Sequence, residues 1–135
     1  MARSVLVDTG FVTALLSRRD RHHEWAKREA AHHAPPWRTC EAVLSEAFFL
    51  LGVAGQPALS ALLGRGLLIP AFDLATELHP VLRLLGKYAG VPMSLADACL
   101  VRMTETLADP VLLTTDADFR VYRRHSRQVV PAIIP

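Results

Sequence analysis

Val5-Leu6-Val7-Asp8-Thr9-Gly10, near one end of the chain, and Val111-Leu112-Leu113-Thr114-Thr115-Asp116, near the other, decide how this protein folds. Each is a short, wholly apolar, β-prone run that gives way to a polar segment carrying an aspartate. A strand with apolar side chains at every position has both faces covered, which is the situation of a parallel sheet between helix layers. Leu67-Leu68-Ile69 repeats the pattern, and Val129-Val130 with Ile133-Ile134 offers a fourth strand. Helical segments separate the runs. Phe11 to Leu16 continues as an apolar helix, and Asp20 is placed to cap a second that runs to about His33. Pro35-Pro36 ends it, because proline cannot continue a helix and pushes its predecessor into an extended state. Thr39 is read as the cap of a helix over 40–52, closed by Gly52. Gln56-Pro57 opens a further short helix that stops near Gly64 and Gly66. Asp73 caps a helix over roughly 74–88, and Ser94 caps the next, through Leu107. This order predicts a single domain over 1–135. It is a three-layer α/β/α sandwich around a central, mainly parallel sheet of about four or five strands.

The chain has 135 residues, with 15 Lys+Arg against 13 Asp+Glu and 51% apolar residues. That is about one domain's length, and the apolar content excludes intrinsic disorder. Unbroken apolar runs are far shorter than the ~20 residues of a spanning helix. Asp8 interrupts what would be the apolar region of a signal peptide. These features lead to the expectation of a cytoplasmic protein without membrane association. Cys40 and Cys99 lie in apolar segments and do not form a C-x-x-C pair, so buried, reduced thiols are expected. Charge is unevenly spread. Residues 18–38 carry +3 and residues 117–135 carry +3, while residues 39–116 carry −4. Basic ends around an acidic middle suit a polyanion brought to a metal site, although balances this small also describe ordinary solvated surface.

Four carboxylates stand out. In an open parallel sheet, ligands bind outside the carboxyl ends of the strands. Asp8 and Asp116 follow two such ends, where each is alternatively a helix cap. Asp97 closes the string Ser94-Leu95-Ala96-Asp97, an S-x-x-D capping box, and also sits where a helix dipole favours the ionised form. Glu46 lies within Ala42-Val43-Leu44-Ser45-Glu46-Ala47-Phe48-Phe49-Leu50, with apolar residues three and four positions away on its face. A carboxylate buried on such a face needs a cation or an arginine partner. If the four meet, each raises its neighbours' pKa until a cation neutralises them. An oxygen-only donor set suits Mg2+ or Mn2+ rather than zinc.

Val-Leu-Val-Asp8-Thr9-Gly10, Ser45-Glu46-Ala47, Leu95-Ala96-Asp97-Ala98 and Thr114-Thr115-Asp116-Ala117-Asp118-Phe119 occur in that order. Order and intervals resemble those of PIN-domain proteins, especially the VapC-type toxins of bacterial and archaeal toxin–antitoxin pairs, over essentially the whole chain. The resemblance implies a Mg2+- or Mn2+-dependent ribonuclease with Asp8, Glu46, Asp97 and Asp116 as its acidic quartet and Asp118 as an occasional fifth member. It places Thr9 and Thr115 beside a ligand water. It also implies an antitoxin encoded nearby and a homodimer. Glu41 is an additional acid close to Glu46.

Arg120, Arg123, Arg124 and Arg127, with Tyr122 and His125, follow the Asp116 segment and are candidates to grip RNA phosphates, with the tyrosine stacking on a base. An exposed helix end explains the same residues. Phe48, Phe49, Met93 and Met103 read as core. Leu59, Leu62, Leu63, Leu78, Val81, Leu82 and Leu85 read as a surplus of apolar surface for a partner. Two rivals fit less well. A strand–Asp phosphatase needs a second acid where Gly10 stands, and a receiver domain needs a lysine after a late strand. A non-catalytic PIN-like binding module also remains open.

Overall fold

The computed structural model describes residues 3–135. The apolar runs lie side by side in one sheet. Its strands are β1 (Ser4–Val7), β2 (Trp37–Thr39), β3 (Leu68–Pro70), β4 (Pro110–Leu113) and, after a small hairpin of β5 (Arg123–Arg124) and β6 (Gln128–Val129), β7 (Ala132–Ile133). The order is β3-β2-β1-β4-β7, and every pairing is parallel. The parallel sheet flanked by helices agrees with the predicted sandwich, with Trp37–Thr39 as a strand that no apolar run announces. The fourth predicted strand divides: Gln128–Val129 joins the antiparallel hairpin, and Ala132–Ile133 alone edges the sheet.

Alternation along each strand separates two cores. Val5, Val7, Val111 and Leu113 face a layer built from α1 (Thr9–Leu16), α2 (His23–His32) and α3 (Glu41–Gly64). There Phe11 meets Trp25 and Trp37 edge-on, at centroid distances of 6.0 and 5.7 Å. Leu6 and Leu112 face α4 (Leu78–Lys87) and α5 (Leu95–Thr106). On that side Tyr122 packs edge-on against Tyr88 and Phe119. Both cysteines are buried and free, as expected.

Three local readings need correction. Asp20 does not cap α2. Its Oδ1 accepts from the His22 amide and its carbonyl from the His23 amide, forming a turn ahead of a helix that starts at His23. Thr39 is not a cap but the end of β2, a strand too short to show periodicity. Its buried hydroxyl donates to the Val7 carbonyl at 2.8 Å, tying β2 to β1. Asp73 holds a turn through Ala75 and Thr76, and the helix proper begins only at Leu78.

Helix α3 carries the predicted break. It has the length, and over 18 residues the mean hydropathy (1.6), of a membrane span. Gly52, at φ 63° and ψ −166°, divides it into pieces over 41–51 and 53–64, each well short of the ~20 residues needed to span. The expected apolar surplus is present in part, with Leu78 and Leu82 exposed. Leu59 and Val81 are core. Phe49, read as core, is 84% exposed, and Leu50 and Val53 beside it are exposed too.

Gly52 occupies a backbone region essentially closed to other residues, while a Cβ there would meet nothing within 4 Å. Gly52→Ala is therefore expected to cost about 1–3 kcal/mol through the backbone alone. Gly64→Ala, also in open space but helical, should be neutral or stabilising by up to about 1 kcal/mol. Urea denaturation of both variants checks this; equal effects would show that the break at Gly52 is absent.

Candidate active site

The sheet reverses direction of growth between β1 and β4. β2 and β3 extend from one side of β1, and β4 and β7 from the other. A crevice opens at such a switch point, outside the carboxyl ends of the strands. Register fixes what lines it. Leu6 pairs with Leu112 and Val7 with Leu113, and the Asp8 amide donates to the Leu113 carbonyl. Asp8 therefore lies level with Thr114, two residues before Asp116. The pocket there has a volume of about 130 Å3 and is lined by Asp8, Thr9, Gly10, Val43, Glu46, Ala96, Asp97, Leu100, Thr115 and Asp116. All four carboxylates singled out in the sequence border it.

Each arrives on a different element. Asp8 caps α1, its Oδ1 accepting from the Phe11 amide at 2.8 Å, while Oδ2 accepts from the Thr114 hydroxyl. Thr114 in turn accepts from the Asp116 amide at 2.9 Å. Asp116 Oδ1 accepts from the Asp118 amide, which starts a 3-10 turn over Ala117–Arg120. Asp97 completes a full capping box with Ser94, and its Oδ2 also accepts from the Tyr122 hydroxyl at 3.2 Å. The capping role and the place in the pocket are thus one arrangement. Glu46 comes from α3, and its Oε2 accepts from the Thr9 hydroxyl at 3.3 Å.

Sequence reasoning misjudged two of these surroundings. Glu46 is exposed, because Phe49 and Leu50 on its face are themselves exposed; it stands at the lip of the pocket and needs no buried partner. Tyr122 is fully buried and is closed to stacking on a base; it holds Asp97 instead. Thr114 was missed because a threonine after a strand carries no signal until register places it beside Asp8. Asp118 does not line the pocket. Of the arginines, Arg120 and Arg127 are exposed. Arg123 donates to the carbonyls of Arg120, Val121 and Tyr122, and Arg124 to that of Thr104. Glu41 is exposed and lines a separate apolar cavity with Cys40 and Cys99.

Gly10 lets the chain close on itself here. A Cβ at that position would come within 1.8 Å of the Thr115 hydroxyl oxygen and 3.1 Å of its Cβ. Thr115 can approach this closely because Gly10 has no side chain.

The electrostatics follow from burial. Asp8 is 7% exposed. Desolvation, aided by the charges of Asp116 and Asp97, lifts its carboxyl to about pH 6 against the lowering effect of its Thr114 and Phe11 hydrogen bonds. Burial, then the Asp116 charge, also raises Asp97. Burial and the Asp97 charge push the Tyr122 phenol up, so it remains a donor. Among the described residues, no three Asp, Glu, His or Cys side chains already close around one point. The donor chemistry nevertheless fits a divalent cation. It is oxygen-only, and the penalty on an ionised Asp8 is the kind that a positive charge removes.

An acidic pocket at the switch point of a parallel α/β/α sheet defines a nuclease-type architecture. The sequence matches the family model described as PIN domain over residues 5–124, and the chain belongs to the PIN-domain family. Nucleases of that family generally use divalent metals. No curated protein matches the chain.

Asp8 predicts a pH dependence of stability. In the metal-free folded chain it keeps its proton to about pH 6, against an ordinary value of 3.8. Its contribution is therefore full below about pH 4 and lost as pH rises through 6, an effect of about 3 kcal/mol. Asp8→Asn cannot titrate there. Urea denaturation in chelator at pH 4, 5, 6 and 7 should show the wild type losing that amount relative to Asp8→Asn; parallel curves would contradict the assignment.

Proposed function

We propose that this protein is a Mg2+- or Mn2+-dependent endoribonuclease that acts in the cytoplasm as the toxin of a VapBC-type toxin–antitoxin pair. The observation that carries the reading is the convergence of Asp8, Glu46, Asp97 and Asp116 on one pocket. The pocket is small, about 130 Å3, and its ionisable groups are all carboxylates, a lining that suits a hard cation.

A divalent cation held there supplies Lewis-acid activation of water and neutralises charge at the phosphate. The residues divide the remaining work. The four carboxylates hold the ion, with Asp118 next to the set through Asp116. Thr114 fixes the rotamer of Asp8, and Tyr122 with Ser94 fixes that of Asp97. Thr9 and Thr115 present hydroxyls at the pocket rim to orient water. Arg120 and Arg127, exposed beyond the Asp116 turn, meet RNA phosphates. Arg123 and Arg124, tied to backbone carbonyls, hold that segment's shape.

The expected behaviour is cleavage of structured RNA that stops in chelator and returns with millimolar Mn2+ or Mg2+. Asp8→Asn and Asp116→Asn should each reduce the rate by at least about 1000-fold while remaining folded. Saturating metal should raise the wild-type melting temperature by mass action. Cleavage that persists in chelator or in Asp8→Asn would refute the reading, and RNA binding without cleavage would indicate a binding module.

The partners in this reading are an antitoxin protein and a second copy of the chain. Phe49 and Leu50, one helical turn from Glu46, and Val53, just past the Gly52 break, give it support as exposed apolar residues. Phe49→Glu with Val53→Glu should convert a dimer to a monomer at micromolar concentration in sedimentation velocity. A wild-type monomer would remove the homodimer from the proposal.

A further inference from the structure

A second cleft, about 400 Å3 in volume, opens where α4 and the C-terminal half of α5 meet the β5–β6 hairpin. Arg83, Lys87, Arg102, Glu105, His125 and Ser126 line it. Its charges do not cancel. Glu105, the one carboxylate in the lining, is already engaged by Arg102 Nη1 at 3.2 Å and by the His125 amide at 2.6 Å. Arg102 is further paired through Nε with Glu77 at 2.8 Å. Arg83 and Lys87 are exposed and, among the described residues, make no ion pair. Arg102 answers both Glu77 and Glu105, so that cluster keeps one negative charge, and Arg83 with Lys87 leaves this face one positive charge in excess.

The far wall is the turn of the β5–β6 hairpin. His125 and Ser126 both adopt left-handed backbone, at φ 48° and 70°, which non-glycine residues seldom occupy. Such conformations persist where the surroundings over-determine them. Here three contacts do so. Lys87 Nζ donates to the Ser126 carbonyl at 2.9 Å, the His125 amide to Glu105, and Arg124 Nη2 to the Thr104 carbonyl. A strained turn is held against α4 and α5 with basic side chains on both sides.

The cleft lies a short way from the acidic pocket, one helix apart. Tyr122 donates to Asp97 in that pocket, and three residues later His125 lines the second cleft. Along α5, Asp97 and Glu105 are eight residues apart, a span of ~12 Å. A nucleic-acid strand places one phosphate per roughly 3.4 Å of its axis when stacked, so ~12 Å is the reach of three or four nucleotides. We infer that the Arg83–Lys87 cleft is a second phosphate-binding site, which holds the RNA strand a few nucleotides from the bond being cut. This rests on the RNA-cleaving reading above.

The test is fluorescence anisotropy in chelator, where no cleavage occurs, with labelled single-stranded RNAs of 12 and 4 nucleotides in mixed sequence. For the Arg83→Ala/Lys87→Ala double variant, the dissociation constant of the 12-mer should rise about tenfold. The slope of log affinity against log salt should become shallower by about 1.4, the loss of two phosphate contacts. The tetramer should bind as before. Because Lys87 also supports the turn, Arg83→Glu alone, which leaves Lys87 in place, must weaken the 12-mer as well. Unchanged 12-mer binding in the double variant overturns the inference. So does an equal loss for both lengths, which would mark a general field, or a silent Arg83→Glu. Calorimetric loss of pyrophosphate binding with the 12-mer unaffected would mark a site for free phosphates and overturn it too. These failures leave wild-type binding and cleavage intact. A wild type that neither binds nor cleaves RNA would instead overturn the functional reading, and the cleft's role with it.

Discussion

The parallel pairing of β1 with β4 is the constraint on which the rest of the molecule depends. Both strands are apolar on both faces, so each must be sandwiched, and they lie in the middle of the sheet. Once Val7 is level with Leu113, Asp8 has no freedom to avoid Thr114 and the segment leading to Asp116. The chain accepts a buried carboxylate there because two hydrogen bonds hold it and Gly10 leaves the necessary room. A slip of one residue would turn every side chain of one strand to the opposite face and separate Asp8 from Thr114. Core packing and pocket assembly are therefore enforced by the same register.

The remaining acids reach the pocket through local rules rather than through the sheet. Asp97 is placed by a capping box, a device of helix initiation that needs no tertiary partner. Its second hydrogen bond, from Tyr122, brings the C-terminal segment into the site. Glu46 is placed by helical periodicity alone, two turns along α3, with Thr9 as its link to the first strand's exit. The pocket thus combines one rigid, desolvated carboxylate with partners of increasing exposure, a gradient from Asp8 through Asp97 to Glu46.

Much of this was legible in the linear chain, and the reasons differ by element. Continuous apolar runs disclosed β1 and β4, because a doubly covered strand has nowhere to put a polar residue, and the same pattern disclosed the edge strand β3. Ser94-x-x-Asp97 disclosed the start of α5. The strand Trp37–Thr39 stayed hidden: three residues carry no periodicity, and two preceding prolines imitate a helix boundary. Glu46 was found for a mistaken reason. Apolar neighbours at helical spacing suggest burial, whereas Phe49 and Leu50 face outward. Thr114, Tyr122 and the basic cleft of Arg83 and Lys87 depend on contacts across 25 to 106 residues or on the meeting of three elements, which no local pattern encodes.

The desolvation of Asp8 bears on the proposed function, in which the pocket would take up a divalent ion. A group that still carries hydrogen near pH 6 has to give it up before it can serve as an anionic ligand. Capture of a divalent ion in mildly acidic solution is then an exchange of one positively charged species for another. Occupancy would respond to acidity as well as to ion concentration, with no histidine required to provide the sensitivity.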